Sequence, residues 1–123
     1  MWRFLFISFL IAHGLVHVAI WLFPKPAEGK APFDVSHSWL FGDVKPVAVV
    51  LAVLAAVLLV AGGLGLWAHA EWWRGVAAVG LAVSFGLMVL TFNPWYLFIE
   101  AVNAALLVGL LWMSWPSRPM VGA

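Results

Sequence analysis

The chain has 123 residues, of which 66% are hydrophobic and 9% are Asp, Glu, Lys or Arg, whereas an ordinary soluble domain has about 25% charged residues. A chain this short has a large surface for its volume, and so few charges cannot cover that surface in water. The net charge of +1 and the absence of cysteine argue against a nucleic-acid-binding surface and exclude disulfides, iron–sulfur clusters and cysteine nucleophiles.

Four apolar segments follow one another along the chain, each near the length of about 20 residues that a helix needs to cross a bilayer. Pro24 ends the first segment, and Pro46 suits the first turn of the second. Asn93 and Pro94 form a helix start signal before the fourth. The helices are predicted at residues 2–23, 46–68, 74–92 and 94–115.

The sequence therefore predicts an all-α, polytopic membrane protein, a four-transmembrane-helix bundle that forms a single domain over residues 1–123, with one long loop between helices 1 and 2. The tryptophans support these boundaries, because Trp prefers the headgroup layer of a bilayer. All nine lie at or near predicted helix ends: Trp2, Trp21, Trp39, Trp67, Trp72, Trp73, Trp95, Trp112 and Trp115.

Small residues at four-residue spacing predict the faces on which helices approach closely, as helices do in lipid. These residues are Ala52 and Ala56, Ala61 and Gly65, Gly80 and Ser84, and Ala101, Ala105 and Gly109.

Four spans place both termini on one side. The three arginines near helix ends share that side: Arg3, Arg74 and Arg118. Three lysines lie in the long loop on the other side. The positive-inside rule, which counts Lys and Arg on each side, therefore gives a tie. The arginines lie closer to helix ends, and we expect the termini in the cytoplasm and the chain in the cell membrane. The loop at 24–45 is expected to lie on the membrane surface or to form a lid over the bundle.

Ionisable residues inside a span are costly and mark functional sites by default. His13 and His17 share one face of helix 1, and Glu100 and Asn103 share one face of helix 4. Counted at about 1.5 Å per residue from the helix ends on one side, His17 matches Glu100 at about 9 Å, and His13 matches Asn103 at about 15 and about 13.5 Å. Ser84 in helix 3 lies at a similar level, at about 12 Å. We predict a polar cluster in which Glu100 contacts His13 or His17.

Three interpretations of this cluster remain open. In the first, the cluster only holds the helices together. In the second, it binds a cofactor, which is either a metal ion held by His13, His17 and Glu100 or a haem. In the third, it forms a proton-linked or ligand-binding site. Two histidines on one side of one helix cannot hold a haem from both faces, so a haem would use one of them. His37 in the loop could complete any of these sites, and His69 is predicted to lie at a helix end.

The segment Ala12-His13-Gly14-Leu15-Val16-His17, followed by a proline-containing loop and the pair Trp72-Trp73, resembles a group of small bacterial four-helix membrane proteins, many of them uncharacterised, that share a general shape with DoxX-like proteins. Relatives of DoxX include subunits of quinone-linked oxidoreductases, so the resemblance implies a redox-accessory role.

The sequence leaves three functions open, and a stand-alone enzyme is not favoured. The first is a small membrane subunit or binding protein whose His/Glu/Asn site takes a metal, a lipophilic ligand or a redox partner. The second is a structural or assembly protein whose polar cluster only fixes helix packing. The third is an oligomeric proton-linked transporter. The expected partners are the lipid bilayer and a membrane protein or further copies of the chain.

Overall fold

A computed structural model describes residues 1–22, 37–38, 40–91 and 97–122, and the statements below concern these residues. The chain is all-α apart from one short hairpin. Its elements are α1 (Trp2–Trp21), β1 (His37–Ser38), β2 (Gly42–Asp43), α2 (Lys45–Trp67), α3 (Trp73–Leu90), α4 (Leu97–Leu111) and α5 (Arg118–Val121).

Three of these helices, α1, α2 and α3, are long and apolar enough to cross a membrane. Helix α4 is also apolar, but its 15 residues make it shorter. The predicted helices 2–23, 46–68 and 74–92 agree with α1, α2 and α3 to within one or two residues at each end. Pro46 lies in the first turn of α2, as predicted.

The fourth helix ends earlier than predicted. Its predicted start at 94 lies outside the described residues, and its end lies at Leu111 rather than near Trp115. The backbone N–H groups of both Trp112 and Met113 bond to the Val108 carbonyl, and the N–H of Trp115 bonds to the Gly109 carbonyl. The chain therefore turns back on the last turn of the helix and then forms α5, which the sequence analysis did not predict.

Helix α2 packs closely against both α1 and α3. At Gly62, an added Cβ atom would lie 2.9 Å from the Cβ and 3.1 Å from the Cα of Ala77 in α3. At Gly14 in α1, it would lie 3.0 Å from the Ala56 carbonyl oxygen of α2. The predicted contact faces are confirmed in part. On α2 and α3, Ala52, Ala56, Gly65, Gly80 and Ser84 are buried, and Ala61 is half-buried. On α4, Gly109 is buried, but Ala101 and Ala105 are exposed.

The two ends of the bundle differ in what they contain. At one end, here called the terminal end, Arg3 donates hydrogen bonds to the carbonyl groups of Leu66 and Trp67, which joins the start of α1 to the end of α2. The ring of Phe6 packs at 5.9 Å against both Trp73 and Trp115. The start of α3 and the segment after α4 therefore lie at the same end.

The opposite end, here called the hairpin end, contains β1 and β2. His37 pairs with Asp43, and Gly42 has a φ of +71°, which favours glycine and lets the chain reverse. The rest of the loop predicted to be a surface segment or lid lies outside the described residues, as does the side chain of His37.

The tryptophans fall into two groups. Five are exposed near helix ends, as expected for headgroup anchors: Trp2, Trp67, Trp72, Trp112 and Trp115. Trp21 and Trp73 are instead buried in the core, at 3% and 1% exposure. Trp39 and Trp95 lie outside the described residues.

Candidate functional site: a hydrogen-bonded cluster beside a cleft

Three polar side chains from three helices form a continuous hydrogen-bonded chain inside the bundle. His17 of α1 lies with its Nε2 2.7 Å from the Oγ of Ser84 in α3. Asn103 of α4 donates from its Nδ2 to the same oxygen at 3.0 Å. All three side chains are buried. The structure therefore brings together three of the predicted residues, although the depths counted along the helices had matched His17 with Glu100 and His13 with Asn103.

The partners of His17 fix the direction of these hydrogen bonds. Its Nδ1 lies 2.8 Å from the backbone carbonyl oxygen of His13, which only accepts, so Nδ1 carries the proton. In the neutral ring, Nε2 then accepts from the Ser84 hydroxyl, and Ser84 accepts from Asn103. This assignment follows from the partners, and it leaves both ring nitrogens of His17 occupied.

An aromatic row runs along the same face of α1. Successive rings of Phe9, His13, His17 and Trp21 lie with their centroids 5.4, 5.2 and 5.7 Å apart. The last pair is stacked, with 16° between the ring planes. Because the four residues are spaced by four, they share one helical face. The row holds the imidazoles in fixed orientations along the helix.

This aromatic row forms one wall of a cleft between α1 and α4. The cleft has a volume of about 220 Å³, and Phe98, Ile99 and Val102 of α4 line its opposite wall. Phe98 is 79% exposed, so the cleft opens to the side of the bundle. Its floor includes Met88 of α3, whose sulfur lies 3.6 Å from Asn103 Nδ2.

Two polar atoms beside the cleft lack a hydrogen-bond partner among the described residues. They are Nε2 of His13, which lines the cleft, and Oδ1 of Asn103. The two side chains lie close enough to act on each other as hydrogen-bonding groups, but they do not form a full hydrogen bond. A hydroxyl group placed between them would donate to Oδ1 and would accept from Nε2 in the tautomer of His13 that carries its proton there.

The predicted contact of Glu100 with His13 or His17 is wrong. Glu100 is 7% exposed, and neither carboxylate oxygen has a hydrogen-bond partner among the described residues. The helix-depth argument assumed that α1 and α4 touch, but α4 packs mainly against α3. Ser84 of α3 takes the position next to His17 that the prediction gave to Glu100.

The predicted metal site of His13, His17 and Glu100 is not assembled. No group of three His, Cys, Asp or Glu residues in the described parts of the chain is placed to hold a metal ion. Both nitrogens of His17 are already bonded, so this side chain would have to leave its partners to bind a metal. A haem is also a poor fit. Pockets that enclose drug-sized ligands measure about 300–1,000 Å³, whereas the cleft beside these histidines measures about 220 Å³.

Some residues of the site were missed from the sequence. Phe9 and Trp21 extend the His13–His17 spacing by one turn at each end, and this four-residue repeat was visible in the sequence. Met88 carried no comparable signal. His69, predicted at a helix end, lies in the turn after α2 at the terminal end of the bundle, where its Nδ1 donates to the Gly122 carbonyl at 2.8 Å.

Comparison with protein families, with curated proteins and with solved structures gives no match for this chain.

Proposed function

We propose that this chain is an integral membrane protein that crosses the cell membrane four times with both termini in the cytoplasm. The lengths and hydropathy of α1, α2 and α3 support this proposal. So does the outer surface of α2, where large apolar side chains are exposed along its length: Val47, Val50, Val53, Leu54, Val57 and Leu64. A row of this kind is costly in water and favourable in lipid.

We propose further that the protein binds a lipophilic ligand in the cleft between α1 and α4. The observation that carries this proposal is an apolar cleft, open to the side, with the His13 side chain in its wall, whose Nε2 makes no full hydrogen bond. Buried polar groups without partners cost free energy. A ligand that supplies the missing hydrogen bond offsets that cost, which is a feature of a binding site rather than of a packed core.

The position of the cleft defines the class of ligand. His13 lies eight residues before Trp21 at the hairpin end of α1, or about 12 Å along the helix. In a bilayer this depth is hydrocarbon, so the ligand enters from the lipid phase through the open side. The ligand in this proposal is a lipid-soluble molecule with an apolar chain and a hydroxyl or other hydrogen-bond donor, which meets His13 and Asn103.

A second candidate function is favoured by a different observation. The chain of bonds from His17 through Ser84 to Asn103 is closed and joins three helices, as expected of polar groups that only hold helices together. In that case the protein is structural, and the cleft holds ordinary lipid without selectivity. The redox-partner role that the DoxX-like resemblance implies stays a proposal for the same chain.

Filling the cleft tests the binding proposal. Val102→Trp places an indole in the cleft wall, and Val108→Trp is the matched control, because Val108 is exposed elsewhere on α4. We expect wild type and the Val108 variant to retain one lipophilic molecule through purification, as measured by mass spectrometry of solvent extracts. The Val102 variant should lose it by about tenfold or more.

A third variant separates binding from packing. His13→Phe keeps the aromatic row and removes the ring nitrogen, so the fold should persist while the retained ligand falls. Equal recovery of lipid from all four proteins, in the proportions of the host membrane, would reject a selective site and favour the structural candidate.

The proposed topology is tested by cysteine labelling, since the natural chain has no cysteine. Leu40→Cys and Met113→Cys replace exposed side chains at the hairpin and terminal ends. We expect a membrane-impermeant maleimide to label the first in intact cells and the second only after lysis. The reverse pattern would place the termini outside.

A further inference from the structure

A second cavity, of about 310 Å³, lies at the terminal end of the bundle, away from the cleft between α1 and α4. It lies at the turn between α2 and α3 and against α5. Its walls are more polar than those of the cleft and consist of His69, Glu71, Trp73, Arg74, Arg118 and Gly122.

Two arginine side chains line this cavity. Arg74 and Arg118 both line it, and they are close enough for their charges to repel. Glu71 lines the same cavity, but no carboxylate in the described part of the chain forms an ion pair with either arginine. The Nη1 of Arg74 is buried and has no hydrogen-bond partner there. A like-charged pair with a free buried donor is unfavourable unless an anion binds between them.

The fold holds the two arginines in place. Arg74 is the second residue of α3; its Nη2 donates to the Pro116 carbonyl, and its guanidinium lies 4.8 Å from the ring centroid of Trp73. Arg118 begins α5, which packs against α1 and is anchored by Val121 at 1% exposure. Neither arginine therefore depends on the other for its position.

The surroundings favour an oxyanion in particular. The start of α3 carries a partial positive charge at this end of the helix. Arginine forks match the oxygen geometry of a phosphate group. His69, with its Nδ1 bonded to the Gly122 carbonyl, has its Nε2 left to interact with a bound group. The negative charge of Glu71 offsets only one of the two arginines.

We propose that this cavity is a binding site for a phosphate group, held between Arg74 and Arg118 at the terminal end of the bundle. The phosphate comes from the headgroup of an anionic phospholipid or from a free phosphate ion. In the proposed topology the site lies at the cytoplasmic membrane surface, where anionic lipids attract basic residues. The inference does not depend on what the cleft between α1 and α4 binds.

The test uses the full chain in a non-ionic detergent. Two ligands are titrated and followed by calorimetry: a short-chain phosphatidylglycerol, with short-chain phosphatidylcholine as the control, and inorganic phosphate, with chloride at equal ionic strength. Arg118→Gln removes one arginine from an exposed position, so folding should not suffer. Lys45→Gln is the matched control, because it removes the same charge from an exposed position at the hairpin end.

We expect saturable binding of at least one phosphate-bearing ligand, weakened about tenfold or more by Arg118→Gln and changed less than about twofold by Lys45→Gln. Binding of phosphatidylglycerol alone assigns the site to a lipid headgroup. Binding of inorganic phosphate alone assigns it to the free ion, and binding of both assigns it to the phosphate group itself. No saturable binding, or equal weakening by both variants, would overturn the proposal.

Discussion

Helices α2 and α4 are attached to the rest of the bundle in different ways. Helix α2 meets α1 and α3 through glycine and alanine, so that backbones approach and no polar side chain is needed. Helix α4 reaches α3 through Asn103 and Ser84 and leaves a cleft towards α1. Close packing and an open cleft therefore exist side by side in one small bundle.

Because of this difference, the contacts that stabilise the fold and the space available for a ligand lie in different parts of the bundle. Contacts between small residues are rigid and exclude any ligand, because no space remains between the backbones. A hydrogen bond fixes the position of α4 at one level without closing the space beside it. The α2 side thus provides the scaffold, while the α4 side leaves the open space that the binding proposal requires. The predictions below examine each side in turn.

The largest effect is expected on the scaffold side. Gly62→Ala places a methyl group 2.9–3.2 Å from the Cβ, Cα and N atoms of Ala77, and backbone cannot move aside as a flexible side chain can. We expect a loss of about 1–3 kcal/mol in the free energy of unfolding, measured by SDS titration in mixed micelles with helical circular dichroism.

The matched control is Gly86→Ala on α3, where an added Cβ has nothing within 4 Å. This change should be neutral or stabilising by up to about 1 kcal/mol, because Ala favours the helix. Similar losses in both variants would mean that α2 and α3 are not in close contact.

A smaller effect is expected where α4 is attached. Ser84→Ala removes the hydroxyl shared by His17 and Asn103 and leaves two buried groups unpaired. We expect a loss of about 0.6–1.7 kcal/mol, the range seen for polar contacts between membrane helices, in the same SDS titration. Ser84→Thr, which restores a hydroxyl, should recover part of it, whereas an unchanged stability in the Ala variant would show that the hydrogen bonds contribute nothing.

Most of the fold could be predicted from the sequence, because apolar length is a strong signal. The ends of α1, α2 and α3 follow from the length of each apolar segment and from prolines such as Pro46. The end of α4 did not follow, because Trp112 to Trp115 are as compatible with a helix as with the observed turn. That turn depends on the hydrogen bond from Trp115 to Gly109 and on the packing of Trp115 against Phe6, which is remote in sequence.

The candidate site could be predicted only in part. Helix depth placed Ser84 between the levels of His17 and Asn103, and the structure joins these three residues. The same count matched His17 with Glu100, and no hydrogen bond joins those two side chains. Depth alone could not decide which helices are neighbours, and the assumption that α1 touches α4 gave the wrong partner for Glu100. The prediction that Ala101 and Ala105 of α4 lie on a contact face was wrong for a similar reason. The spacing of small residues does not show which face of a helix packs against another helix.

Substitution of Glu100 is expected to increase the free energy of unfolding, whereas Gly62→Ala and Ser84→Ala are expected to decrease it. Glu100 is a buried carboxylate without a partner in the described residues, and such groups cost stability. Glu100→Met keeps a similar length and removes the polar atoms, so we expect a gain of about 1 kcal/mol in the SDS titration. Glu100→Gln retains polar atoms and should gain less. A clear loss in the Met variant would show that the carboxylate has a stabilising partner.

The smallest expected effect is the coupling free energy between Glu100 and His17 in a double-mutant cycle, which should be zero. Glu100→Gln and His17→Phe should change stability additively to within about 0.5 kcal/mol, because no hydrogen bond joins the two side chains. The positive control is the pair His17→Phe and Ser84→Ala, whose coupling should reach about 0.6 kcal/mol or more. Phe keeps the ring that stacks on Trp21, so the cycle reports the nitrogen rather than the packing. A coupling between Glu100 and His17 as large as that of the control would mean that α4 moves against α1 and closes the cleft, and the open side on which the binding proposal depends would be lost.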